Sequence, residues 1–134
     1  MRYQKKIINK RIRSIKNSFA WIDHRVITGG FLDDLSCYEI LLYFFLVTVS
    51  DRNGLSFYHD DRICGLLKID LFSMGKAREM LVHRSLIDYK APLYQVLDLP
   101  PRPVVPPSVQ ELEQEKRKRD LSYIQRIKET VMRR

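Results

Sequence analysis

Ser73 and Lys76 stand three residues apart in a stretch whose apolar residues recur with a helical period. A hydroxyl and an ammonium on one helical turn can both donate to the acceptors that base edges present in the major groove of DNA. Lys68 precedes this stretch, Arg84 ends it and Lys90 follows it, and cations so placed suit phosphate oxygens. With Met74 turned inward, the outward face carries Phe72, Lys76, Glu79, Met80 and His83, with Ser73 and Arg84 at one edge. Phe72 and Met80 suit a protein partner better than DNA. Gly75 in mid-helix costs about 1 kcal/mol against alanine, which close approach to a phosphate or a packed neighbour would explain.

Catalysis finds no comparable constellation. His24, His59 and His83 have no carboxylate or cysteine at ligand spacing, and Asp33-Asp34 and Asp60-Asp61 read as cap and turn residues. The chain holds no phosphate-binding glycine loop, no G-x-S-x-G and no H-E-x-x-H. Cys37 and Cys64 stand 27 positions apart without a C-x-x-C, so neither a disulfide framework nor a zinc site is indicated. Both read as small buried residues inside helices. The expectation is a non-catalytic protein with no metal and no cofactor.

The elements that must position the candidate residues are written locally. Leu55-Ser56-Phe57-Tyr58 alternates apolar and polar, as a short half-buried strand does. Ile63, Leu66 and Leu67 fall at i, i+3, i+4, one face of a helix over 60–67, with Asp60 and Asp61 in the first turn where the helix dipole favours them. Lys68-Ile69-Asp70 is a tight connector, and Asp70 is placed to cap the next helix. That helix runs from Leu71 to about Arg84, with Leu71, Met74, Arg78 and Leu81 along one stripe and Ala77 beside it. Leu86 to Tyr89 and Leu93 to Leu97 flank a Lys90-Ala91-Pro92 turn and predict a hairpin. Two short helices at a sharp angle, the second of about 70–84 able to enter a major groove, are a DNA-reading device, and the hairpin over 86–97 is the wing that lies on the neighbouring backbone.

The segment 19–99 resembles the small winged-helix proteins of bacterial mobile elements and the N-terminal domains of plasmid and phage replication initiators. The residues that carry the resemblance are Leu35-Ser36 with the apolar helix after it, the run from Asp51 to Tyr58, Ile63 to Leu67, and Tyr94 to Leu97 before the prolines. The resemblance implies DNA binding in the replication or transcription of such an element. Phe72, Gly75 and a near-neutral core depart from the usual pattern.

Around this centre the chain divides. Residues 1–18 form an arm with Arg2, Lys5, Lys6, Lys10, Arg11, Arg13 and Lys16 and no acid. Ile8, Ile12 and Ile15 at i, i+4, i+7 allow a basic amphipathic helix on contact with a ligand. Three readings stand: a phosphate or minor-groove arm, in which Lys5, Lys6, Arg11 and Arg13 touch DNA; a membrane-surface helix, disfavoured by the lack of Trp or Phe; or a helix without a ligand. Phe19 to Ile22 reads as a short strand or an extended packing segment. Ser36-Cys37-Tyr38-Glu39 is a capping box opening a helix to about Ser50 that is apolar nearly all the way round. Such a helix needs cover on most faces, so either the segment from Phe19 to Ile27 wraps over it or a second copy does, as a homodimer. Asp51-Arg52-Asn53-Gly54 is a turn.

Five of the eight residues 100–107 are proline, a stiff linker. Ser108 to Glu111 repeats the capping-box spacing and opens a charged helix over 108–134, with Glu113–Arg117 and Glu115–Arg119 as i, i+4 pairs. Lys116 to Arg119 is either a phosphate patch or a solvated cluster. Leu121, Ile124, Ile127 and Val131 give a thin apolar stripe suited to a partner protein.

The expected fold is mainly α: a winged helix-turn-helix with a small antiparallel β wing, then an extended linker and a helix. The net charge of +8 and a pI near 9.7 permit an anionic partner, here double-stranded DNA. Yet residues 36–99 hold seven Lys/Arg against eight acids, while 1–35 hold eight against three and 100–134 nine against five. The positive charge therefore lives in the flanks. No signal peptide is visible, and the apolar run from Ile40 to Val47 is far too short to span a bilayer, which points to a cytoplasmic protein with no membrane contact.

Overall fold

The computed structural model describes residues 4–106 and 109–132. The Ser108–Glu111 box and Arg2 lie outside the described residues, as do the side chains of Glu113 and Glu115 and with them both i, i+4 pairs. The described residues form α1 (Arg25–Thr28), α2 (Cys37–Val49), β1 (Leu55–Phe57), α3 (Asp60–Leu67), α4 (Leu71–His83), β2 (Ile87–Lys90), β3 (Leu93–Val96) and α5 (Val109–Met132). The architecture is mixed: five helices and one small antiparallel sheet in the order β1-β3-β2.

Local chemistry sets the helix ends. Glu39 N donates to Ser36 Oγ at 3.2 Å and Ser36 N donates to Glu39 Oε2 at 2.9 Å, the reciprocal box that starts α2. Ser73 N donates to Asp70 Oδ2 at 2.9 Å and starts α4. Lys68, in the left-handed region at φ 58°, ends α3 and turns the chain sharply into α4. Gly54 has φ +83°, and a side chain there would run into the carbonyl of Val96. Val96 N donates to Gly54 O at 2.8 Å, so the Asn53-Gly54 turn is fastened to β3.

The core lies between α2, α3, α4 and one face of the sheet. Leu42, Leu46, Ile63, Met74, Leu81, Ile87 and Tyr94 are fully buried. Each such aliphatic side chain contributes roughly 1.5–3 kcal/mol by leaving water. One ion pair joins this core at its edge. Arg84 Nε donates to the buried Glu39 Oε1 at 2.8 Å, and its Nη2 and Nη1 reach the carbonyl and carboxylate of Asp34 at 2.9 and 3.2 Å. The capping residue of α2 is thereby locked to the end of α4.

Several expectations are corrected. The apolar–polar alternation of β1 is inverted: Ser56 faces the core and Phe57 faces solvent. Ser56 stands directly opposite the buried Tyr94, where a small side chain leaves room for the phenol ring. Among the described residues the chain itself does not cover helix α2 all round, since Tyr38, Leu41 and Phe44 are exposed. The segment from Phe19 to Ile27 wraps little of it: only Val26, on the unforeseen α1, is buried, while Phe19, Trp21, Ile22 and Ile27 are exposed and no strand forms over 19–22. Leu66 and Leu71, placed on the inner stripes of α3 and α4, are exposed, and Leu67 and Ile69 between them pack against the core instead. Cys37 is exposed at the first turn of α2 and Cys64 is half-buried, both as free thiols. Residues 4–24 hold neither helix nor strand.

Candidate nucleic-acid interface

One face of the first two turns of α4 stands in solvent, while Met74 and Ala77 on the other are buried. Leu71 and Phe72 are 61% and 70% exposed, Lys76 is exposed and Ser73 half-buried. Lys76 Nζ sits 4.7 Å from the centroid of the Phe72 ring, a cation–π contact across one helical turn. Ser73 bonds back to Asp70, and its hydrogen bonding holds the Asp70 carboxyl below the usual carboxylate range. The cap is made by the Ser73 backbone N–H.

Lys68 is exposed at the α3–α4 turn and Lys90 at the end of β2, paired across the hairpin with Leu93. Among the described residues, none of Lys68, Lys76 and Lys90 is in an ion pair, so all three ammonium groups are free for an anion. Lys5, Lys6, Arg11 and Arg13 are exposed on the irregular arm.

Two candidates are corrected. Arg84 does not reach outward to a phosphate: it is buried and its guanidinium is committed to Glu39 and Asp34. An arginine one residue past a helix end reads as a surface cation until its distant carboxylate is known. Met80 is half-buried rather than standing on the open face.

Arg78 is the residue whose role the sequence did not disclose. Its Nη1 donates to Asp60 Oδ1 at 2.7 Å and to Tyr94 Oη at 3.0 Å, and its guanidinium carbon lies 4.2 Å over the Tyr89 ring. One side chain thus fixes the start of α3, the middle of α4 and both strands of the hairpin. Burial disfavours its charge, but the bonds to Tyr94 and Asp60 outweigh this and raise its pKa well above the ordinary value. Burial likewise pushes the Tyr94 phenol up, opposed in part by Arg78. The only available signal was the charge: an arginine on an otherwise apolar stripe, within reach of an acid in the preceding helix.

Elsewhere, a groove of about 530 Å³ is lined by Trp21, Tyr43, Val47, Arg52, Leu97 and Asp98 among others, and none of its lining belongs to α3 or α4. Among the described residues no cluster of His, Cys, Asp or Glu could hold a metal ion. No helix among them is long and apolar enough to cross a membrane. No protein-family model, curated protein or solved structure matches the chain.

Proposed function

We propose that the chain is a non-catalytic DNA-binding protein built on a winged helix-turn-helix. Helix α4 lies in the major groove, the β2–β3 hairpin is the wing on the adjoining backbone, and the basic arm supplies further phosphate contacts. The observation that carries this reading is the set of three free lysines, at the inter-helix turn, on the open face of α4 and at the hairpin tip. Arg78 supports it by holding α3, α4 and hairpin as one rigid unit. The resemblance of 19–99 to proteins of mobile elements and replication initiators favours a role in replication or transcription of such an element.

The core is near neutral, so the free lysines and the arm must share the phosphate contacts. Binding of random-sequence duplex to the full chain across a salt series tests this. The triple substitution Lys68→Gln, Lys76→Gln, Lys90→Gln lowers affinity and reduces the salt slope by about 0.9 for each phosphate that the protein no longer neutralises. Substituting Lys5, Lys6, Arg11 and Arg13 by Gln lowers affinity by a separate increment. If only the arm substitutions matter, the α4 face is not on DNA. The second reading is then the better one: a protein-interaction adaptor using the same scaffold, favoured by the exposure of Leu71 and Phe72 and by the solvent-facing Leu121, Ile124, Ile127 and Val131 of α5.

A further inference from the structure

We infer that Leu71 and Phe72 are specificity-determining residues that read the 5-methyl groups of thymine, so that the duplex bound by α4 is rich in A·T pairs. This rests on the DNA-binding reading above and goes beyond it by naming what α4 recognises.

Helix α4 lacks most of the side chains that read purine edges. Purine edges are read by side chains that offer paired groups: Arg to guanine, Asn or Gln to adenine. The helix Leu71–His83 has no Asn and no Gln. Its one arginine, Arg78, is engaged by Asp60, Tyr94 and the Tyr89 ring. Ser73 is half-buried beside its cap. Lys76 is a single cation already resting on Phe72. Paired hydrogen-bond readout of adenine and guanine from this face is therefore sparse, with Glu79 and His83 as its remaining polar groups.

What α4 does offer is hydrocarbon. Leu71 and Phe72 are side by side in the first turn and stand mostly in solvent, while the packing of α4 is completed by Met74, Ala77 and Leu81. The apolar feature of the major-groove floor is the thymine methyl, and it is met by side chains such as these. Gly75 and Lys76 follow Phe72 at i+3 and i+4 and so share its face. A Cβ at Gly75 would meet nothing within 4 Å, so no packing inside the protein requires glycine there. The missing side chain leaves bare backbone beside Phe72, and the helix can sink until ring and methyl touch. Lys76, lying on the ring, carries its positive charge into the same groove.

The test uses the full chain and short duplexes of alternating dA and dT, against the same duplexes with deoxyuridine in place of thymidine. The two differ by the 5-methyl group alone. A dG·dC duplex with and without 5-methylcytosine restores a methyl at the same groove position. The expected result is tighter binding to thymine than to uracil by roughly fourfold for each methyl buried, with 5-methylcytosine preferred over cytosine in the same sense. Phe72→Ala brings the thymine-to-uracil ratio toward one. Lys76→Gln weakens all duplexes and keeps the ratio. Equal affinity of the unaltered chain for thymine and uracil duplexes overturns the methyl reading and leaves DNA binding intact. A ratio that survives both Leu71→Ala and Phe72→Ala overturns the assignment to these residues. Failure to bind any duplex overturns the methyl reading together with the DNA-binding function beneath it.

Discussion

At its last turn α4 is tied to the body by Arg84, whose guanidinium is buried against Glu39 and Asp34. At its first turn the same helix carries Leu71 and Phe72 into water. Fourteen positions cover both: a helix whose end is charged yet buried and whose beginning is apolar yet exposed. Each end reverses the usual placement of its residue types. A buried cation needs a partner to be tolerated, and Arg84 has two. An exposed phenyl ring needs no burial to be tolerated, and Phe72 has the Lys76 ammonium resting on it. The contrast separates residues that hold the fold from residues that the fold does not use.

The largest expected break in this contrast comes from Arg84. Arg84→Met strands the buried Glu39 carboxylate and costs about 3–5 kcal/mol in a urea titration. The double substitution Glu39→Leu with Arg84→Met costs less than Arg84→Met alone, because no charge is then left unpaired. A loss near zero for Arg84→Met would make the two ends of α4 alike. Next comes Met74→Ala, fully buried one turn from the exposed pair, with an expected loss of about 2–5 kcal/mol. Phe72→Ala, two residues away, changes stability by no more than about 0.5 kcal/mol. Comparing their urea midpoints measures how abruptly α4 passes from core to solvent.

Gly75→Ala sharpens the contrast in the opposite sense. Its new Cβ enters open space in mid-helix, so stability rises by about 0.5–1 kcal/mol. DNA affinity falls if the bare backbone is an approach surface. The smallest effect concerns the Asp70 cap. Hydrogen bonding by Ser73 depresses its carboxyl pKa in the folded state. Its contribution is therefore present above the ordinary carboxylate pKa and is lost as pH falls through the depressed value. Asp70→Asn should flatten the acid side of the stability profile and leave the neutral plateau little changed, as urea midpoints over an acid-to-neutral series would report.

How much of this was legible depends on the distance between cause and effect. The Ser36–Glu39 box, the Asp70 cap, the bounds of α3 and the hairpin over 87–96 follow from neighbours in sequence, and pattern reading finds them. The inversion of β1 was hidden because it depends on pairing with β3, where Ser56 meets Tyr94. Arg84 reads as a surface cation in the sequence because its partner Glu39 lies 45 residues away. The helical period puts Arg78 on the inner stripe, but its partners come from α3, β2 and β3 and are set only by the packed fold. Lys68, Lys76 and Lys90 were legible as candidates because surface cations need no distant partner. Helix α2 misled in another way: apolar composition signals a need for cover, and Tyr38, Leu41 and Phe44 are left without it among the described residues.

The single tryptophan, Trp21, gives the molecule a built-in optical reporter with an unusual address. Its indole is 77% exposed and sits where the basic arm joins the body, on the rim of the groove beside α2. Its emission in the free protein should resemble that of indole in water and change little when the core unfolds. Emission would instead shift toward the blue when the arm is pressed against a ligand, so one cuvette could watch the arm engage while circular dichroism watches the fold.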